Sequence, residues 1–331
     1  MRIFFLLIFI FSLTSSINAQ QKNGILLKSQ LAHFNGEYFK SDSLFQNALQ
    51  HISTPYSQII GSIAYSKLLI DWDELDRADS ILTRANNIFV QLDTFMNLKH
   101  QLDIQQGHLW ISQKKYAEAT NLFISLLDPI NEVSDSIKGI IHYHLGEINL
   151  ETDSLDKALE QLQLAQEWLD ENYTSQINKH QAVIWNHQGR VYAEQSKFQK
   201  AKTVCQRMIN LAADNQLEFH DSLMANYNYA FLQVELGQYD KAEVTLLKLK
   251  PILERLYTNK NIYYELLGQL GLIAEKTGYF EKAVNLYQQA MVFFEQAKNI
   301  EEFIFYTNNL AILFEEKLNR REEAEELYIK G

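Results

Sequence analysis

The chain has 331 residues, 47% of them apolar and 21% charged, enough apolar side chain to bury a large core, which excludes a disordered polar tract. With 41 acidic against 30 basic side chains, the formal charge of -11 argues against a nucleic-acid partner or an anionic lipid surface. Three prolines and twelve glycines are too few for a protein of many short strands, and a single cysteine, Cys205, excludes an internal disulfide and a zinc site built on cysteine pairs.

The first predicted element is a secretory signal at residues 1–19. Arg2 precedes an apolar run from Ile3 to Phe11, then Ser/Thr-rich residues and Ile17-Asn18-Ala19, with cleavage expected after Ala19. That run is about half of the ~20 apolar residues a spanning helix needs. Later apolar stretches are interrupted, Ile59 to Ile70 by Lys67 and Phe303 to Phe314 by Thr307-Asn308-Asn309. The expectation is an exported chain with no membrane span once the signal is removed.

From residue 20 to 331 the sequence repeats itself with a period of about forty, in units starting near 22, 59, 100, 139, 182, 223, 264 and 304, the last of them incomplete. A small residue recurs at Ser41, Ala78, Ala119, Ala158, Ala201, Ala242, Ala283 and Ala324. Twelve residues before the first seven stand Ser29, Ser66, Gly107, Gly146, Gly189, Ala230 and Gly271, all small. Small residues are roughly a fifth of average composition, so seven in seven is not chance. Two antiparallel helices approach closely only where both carry a small side chain, so each pair predicts a helical hairpin. Around each second-helix residue an apolar stripe follows at offsets of -3, +4 and +7, as in Phe198, Cys205 and Met208 around Ala201. No hairpin covers that stripe alone, which demands stacking on the next. Asn35-Gly36-Glu37, Leu236-Gly237-Gln238 and Thr277-Gly278 are read as turns, and Pro55, Pro129 and Pro251 as lying near the ends of second helices. The eighth unit has one extra residue between Ala311 and Ala324, and its second helix stops short at Gly331, the pattern expected of a truncated chain.

In Gly107 to Ala119 (GHLWISQKKYAEA), Gly189 to Ala201 (GRVYAEQSKFQKA) and Gly271 to Ala283 (GLIAEKTGYFEKA) the sequence resembles the tetratricopeptide repeat, with units of 39 to 43 residues in place of the usual 34. The resemblance implies an all-α, right-handed superhelical solenoid of about eight hairpins. The layout also resembles exported bacterial regulators in which such repeats precede a membrane helix and an effector module.

Candidate chemistry is sparse. His142 and His144, two apart on a helix, point in nearly opposite directions. His144 with Glu147, or His180 with His187, have spacings compatible with a shared ligand, but also with ordinary polar positions. No phosphate loop, nucleophile elbow or paired-carboxylate site appears. Neither catalysis, a metal nor a cofactor is expected, and Cys205, on the packing stripe, reads as an inert buried thiol.

In such a stack the first helices line the inner side, so contacting residues recur one period apart. Those positions hold Gln101, Gln105 and His108; Tyr143, His144 and Glu147; Asn186, His187 and Arg190; and Tyr227 and Asn228. Amides there suit the backbone of an extended peptide, Arg190 a carboxylate, and the tyrosines flat apolar contact. Asp-Ser followed by Leu or Ile recurs at Ser43, Ser80, Ser136, Ser154 and Ser222 and resembles an O-glycosylation acceptor of exported Gram-negative proteins, while Asn172-Tyr173-Thr174 fits an N-glycosylation acceptor. For the copies near 135, 153 and 221, helix capping is an equal explanation.

The function expected is therefore that of an exported, non-catalytic scaffold gripping a protein or peptide, in the periplasm or at the surface of a Gram-negative cell. Two other readings stay open at this stage: the sensor ectodomain of a longer membrane-anchored transcriptional regulator or histidine kinase, and a metal-dependent enzyme resting on His144 or His187. Oligomeric state is not legible.

Overall fold

In the computed structural model, which describes residues 17–92, 96–170, 177–213, 219–256 and 260–331, the forty-residue period becomes a succession of helices joined by short turns. Most of the signal segment, residues 1–16, and the Asn172 acceptor lie outside the described residues, and Ile17 to Ala19 open the first helix. The chain divides into two compact units, Met1–Gln113 and Lys114–Gly331. The first holds α1 (Ile17–Phe34), α2 (Tyr38–His51), α3 (Pro55–Asp71), α4 (Leu75–Phe89) and α5 (Met96–Ser112). The second holds α6 (Tyr116–Leu126), a 3-10 turn (Pro129–Asn131), α7 (Asp135–Glu151), α8 (Leu155–Asp170), α9 (Ile177–Glu194), α10 (Phe198–Ala213), α11 (Phe219–Glu235) and α12 (Tyr239–Leu256). It continues through α13 (Asn261–Lys276), α14 (Phe280–Gln296), α15 (Ile300–Glu316) and α16 (Arg321–Lys330). Among the described residues there is no strand, and the architecture is an all-α helical-hairpin repeat.

The small residues sit at the crossings. Ser41, Ala78, Ala119, Ala158, Ala201, Ala242 and Ala283 are all fully buried. Where α1 meets α2, the Ser41 hydroxyl donates to the Ser29 carbonyl at 2.8 Å, so even the polar pair is satisfied inside the crossing. Where α9 meets α10, a Cβ on Gly189 would lie 2.9 Å from Cys205 Sγ and 3.9 Å from the Ala201 carbonyl oxygen. On α7 a Cβ on Gly146 would meet Leu162 at 2.8 Å. The stripe residues Phe45, Leu82, Phe123, Leu162 and Leu246 are buried to the last atom, and Cys205 and Tyr287 nearly so. Successive hairpins cover one another within each unit: α2 packs on α3, α8 on α9, α10 on α11 and α14 on α15. Burial pushes the Cys205 thiol up to about 12, which keeps it protonated and unreactive.

Each turn inside a hairpin of one unit reverses the chain through one residue of left-handed backbone, five before the small residue, at Gly36, Asp73, Asp153, Ser196, Gly237, Gly278 and Asn319, and Lys114 has the same backbone conformation. This geometry lets the next amides close on the last carbonyls of the preceding helix. Gly36 N–H bonds the His33 carbonyl at 2.9 Å and Glu37 N–H that of Ala32 at 2.8 Å; Ser196 and Lys197 repeat the pair at 2.8 and 2.7 Å. The extra residue of the eighth hairpin falls in its turn, which runs from Lys317 to Arg320 where the other turns have three residues.

The prolines depart from expectation. Pro129 does follow a second helix, but Pro55 opens a first one, α3, behind a Thr54 cap, where its missing N–H is not needed. Pro251 lies inside α12, and Leu247, whose carbonyl it leaves without a helical donor, is on an exposed face.

Candidate functional site

In the second unit the first helices α7, α9, α11 and α13 are neighbours in order, and polar side chains of successive repeats touch between them. Arg190 Nη2 on α9 reaches Glu151 Oε1 on α7 at 2.7 Å. Asn228 on α11 donates to Asn186 Oδ1 on α9 at 2.6 Å, and the Tyr227 hydroxyl donates to Glu265 Oε2 on α13 at 3.4 Å. The face is therefore a row of polar and aromatic side chains tied to those of the next repeat rather than a loose wet surface.

At the α7 end, His144 is buried, its Nδ1 3.0 Å from Glu147 Oε2 and its ring stacked on Phe123 with centroids 5.3 Å apart. His187 is buried too, its Nδ1 3.1 Å from the Val183 carbonyl and its Nε2 3.9 Å from Glu147 Oε1, with the Tyr143 ring edge-on at 5.1 Å. Burial pushes the His187 imidazole below its ordinary value, against the opposing pull of Glu147. These two histidines thus have partners and little access to solvent. His142, turned the other way, has its Nδ1 2.8 Å from Gln161 Oε1 on α8. The His180 side chain lies outside the described residues. Among the described residues no group of three or more His, Cys, Asp or Glu side chains is placed to hold a metal ion.

Beyond His187 the face opens into a cavity of about 520 Å³. Arg190, Ala193 and Glu194 of α9, Tyr227, Asn228 and Phe231 of α11, and Glu265 and Gln269 of α13 line it, with Cys205 behind and Glu302, Phe305 and Tyr306 of α15 closing the far side. The cavity has this far wall because position 268 is glycine: a Cβ there would stand 2.2 Å from Cε1 of Tyr306. Burial pushes the Glu265 carboxyl up to about 7, and the neighbouring charge of Glu302 adds to the shift against the Tyr227 hydrogen bond and Arg190. Glu302 is also held above the usual carboxylate range, by burial first and Glu301 second. The Gln269 Oε1 is buried and accepts no hydrogen bond.

Arg190, Tyr227 and Asn228 thus line this cavity, whereas Tyr143, His144, Glu147, Asn186 and His187 form the polar row leading up to it. Gln101, Gln105 and His108 stand on α5 in the other unit, where Gln105 is buried with its Nε2 unbonded. Sequence reasoning missed Glu265, Gln269, Glu302, Phe305 and Tyr306. The signal was there for Gln269, which follows Asn228 by 41 residues, one further period.

Of the Asp-Ser copies, Ser43 and Ser80 are exposed on the outer faces of α2 and α4. Asp42 is itself committed, accepting from the Tyr65 hydroxyl and from Arg77, each at 2.7 Å. Ser136 and Ser222 fall in first turns of α7 and α11, and Ser154 immediately precedes α8, all partly buried.

Antiparallel helix pairs at a forty-residue period, locked at small-residue crossings and lined on one side by polar first helices, define an all-α helical-repeat fold. Residues 266–292 match the family model described as "Tetratricopeptide repeat", and the chain shares the helical-repeat fold of solved tetratricopeptide-repeat proteins. A Rap protein in complex with competence and sporulation factor superposes with a TM-score of 0.65 at 14% identity, over 83% of this chain and 76% of that one. NprR in complex with its cognate peptide NprX gives 0.60 at 14%, over 82% and 77%. Cut9, from the APC/C hetero-tetramer Cut9-Hcn1, gives 0.68 at 12%, over 95% of this chain but 55% of that one. Among curated proteins none matches the sequence.

Proposed function

We propose that the second unit binds an extended peptide or protein segment along its row of first helices, with the cavity between α9, α11, α13 and α15 as the anchoring point, and performs no chemistry on it. The observation that carries this reading is the cavity itself. At about 520 Å³ it lies in the range of sites that enclose a few side chains, and it is walled by aromatics with a small number of aimed polar groups. Asn186 and Asn228, bonded to each other, keep further amide donors and acceptors of the kind that pair with a peptide backbone. NprR, of the same fold, was crystallised with its cognate peptide, which supports a peptide over a small metabolite.

The leading residues 1–19 carry the pattern of an export signal, which supports a place outside the cytoplasm; mass determination of the native protein beginning at Gln20 would agree with it. No described helix is long and apolar enough to cross a membrane. The groove is tested by fluorescence polarisation with a mixed pool of labelled heptapeptides. The native protein binds members of the pool, and Asn186→Ala/Asn228→Ala, which removes both partners and leaves no orphan, weakens them all by about tenfold. Equal binding by native and double variant would refute the groove.

A further inference from the structure

The acidic end of the cavity has a chemistry more specific than peptide binding in general. Three carboxylates line the space, Glu194, Glu265 and Glu302, against one cation, Arg190, whose charge is already answered by Glu151 at 2.7 Å. The deepest polar groups are acceptors without matching donors. Glu265 receives only the long Tyr227 bond of 3.4 Å, and the buried Gln269 Oε1 receives none. Buried acceptors left without donors are costly, so what completes them is a group that donates repeatedly and accepts nothing. The surrounding walls, Phe231, Phe305 and Tyr306 with Tyr227, are flat aromatic faces, which attract a delocalised cation and offer nothing to a hard metal ion.

We infer that the Glu265–Glu302 end of this cavity is a subsite for a basic side chain, above all an arginine guanidinium, of the bound segment. The guanidinium lies between the two carboxylates, donates to Gln269 Oε1 and stacks on the aromatic wall. It supplies the counter-charge that the folded chain lacks there. The elevated Glu265 carboxyl has the same origin, since burial and Glu302 oppose a second negative charge and outweigh the Tyr227 hydrogen bond and Arg190. Binding the cation lowers that value, so binding releases a proton and tightens as pH rises from 5.5 to 8. The groups facing Glu265 are Glu302 and Tyr306 from α15, Tyr227 from α11 and Arg190 from α9. The tyrosines are held above their ordinary range and the guanidinium stays charged, so Glu265 is the group facing the site whose value falls in that window, while Glu302 is raised by burial in the same direction.

This inference rests on the groove proposed above, and its test separates the two. Three heptapeptide pools, identical except for a central arginine, its neutral isostere citrulline, or glutamate, are titrated by fluorescence polarisation against the full chain at pH 5.5 and 8. The arginine pool binds about tenfold tighter than the citrulline pool at pH 8, and the glutamate pool weakest. Glu265→Gln/Glu302→Gln, checked as folded by its circular dichroism and cooperative melt, brings arginine and citrulline pools level and removes the pH dependence. Arginine and citrulline pools bound equally by the native protein would overturn the subsite and leave the groove standing. No pool bound at all would overturn both. Free arginine competing as strongly as the arginine pool would overturn the assignment to a peptide side chain in favour of a small cation.

Discussion

The ring of Tyr306 on α15 occupies the place that a side chain at position 268 on α13 would take, 2.2 Å from where its Cβ would stand. Tyr306 is 3% exposed and stacks on Phe294 with centroids 5.6 Å apart, a packing it would have to give up to make room. Gly268→Ala therefore destabilises the chain by about 1–3 kcal/mol, the usual effect of overpacking. The same substitution made in a Tyr306→Ala background costs far less. A double-mutant cycle by urea denaturation measures the coupling, and additive effects would contradict the contact.

The hairpin turns give a second prediction, of opposite sign. Ser196 holds a left-handed backbone with φ 55°, and its counterparts at Gly237 and Gly278 do the same without a Cβ. Ser196→Gly stabilises by about 0.5–1 kcal/mol, the relief of the left-handed strain reduced by the greater freedom of glycine in the unfolded chain. Gly237→Ala destabilises by a similar amount, although no atom lies within 4 Å of the added methyl. Urea midpoints that move in the same direction for both variants would contradict the role of the turn.

His187 sets an acid limit on the fold. Its folded value lies below the ordinary 6.5, so the unfolded chain takes up the proton first, and the stability present above pH 6.5 is lost as the pH falls through that value toward the folded one. His187→Phe keeps an aromatic ring against Tyr143 and removes the proton. Comparing urea midpoints at pH 7 and pH 5, the native chain loses more stability than the variant; equal losses would show that His187 does not titrate with unfolding.

Glu265 works in the other direction. Its value rises from 4.5 in the reference state to about 7 in the fold, so the unliganded chain is penalised progressively as pH climbs through that interval and fully above it. Glu265→Gln removes the penalty. It stabilises the unliganded chain at pH 8, by about 3 kcal/mol as an upper figure, and leaves it nearly unchanged at pH 4.5. Thermal melts at the two pH values read the difference, and a variant less stable than native at pH 8 would contradict the assignment.

The crossings and the apolar stripe were legible because they are periodic: Ala158, Ala201 and Ala242 announce themselves by repetition, and the structure buries each of them. Gly268 carried no such signal, since its contact with Tyr306 occurs in one repeat only. The left-handed turns at Lys114, Asp153 and Ser196 were hidden for a related reason. Packing on either side of the turn forces the backbone there, and residue type yields to it. Glu302 and Tyr306 escaped because they stand nine and five residues before Ala311, outside the repeat positions that carry the polar row in the earlier first helices. Pro55 was misplaced because a proline near a boundary marks the start of the following helix as readily as the end of the preceding one.

The ties between neighbouring repeats, Asn186 to Asn228, Glu151 to Arg190 and Glu243 to Lys282, join different positions of the two repeats, and this has an evolutionary consequence. A segment of about forty residues copied in tandem brings its small-residue crossing and apolar stripe with it, whereas a tie such as Asn186 to Asn228 meets His187 in the copy and has to be rebuilt. Lengthening this molecule by a whole repeat is therefore a single genetic step for the core, and the polar row is what diverges afterwards.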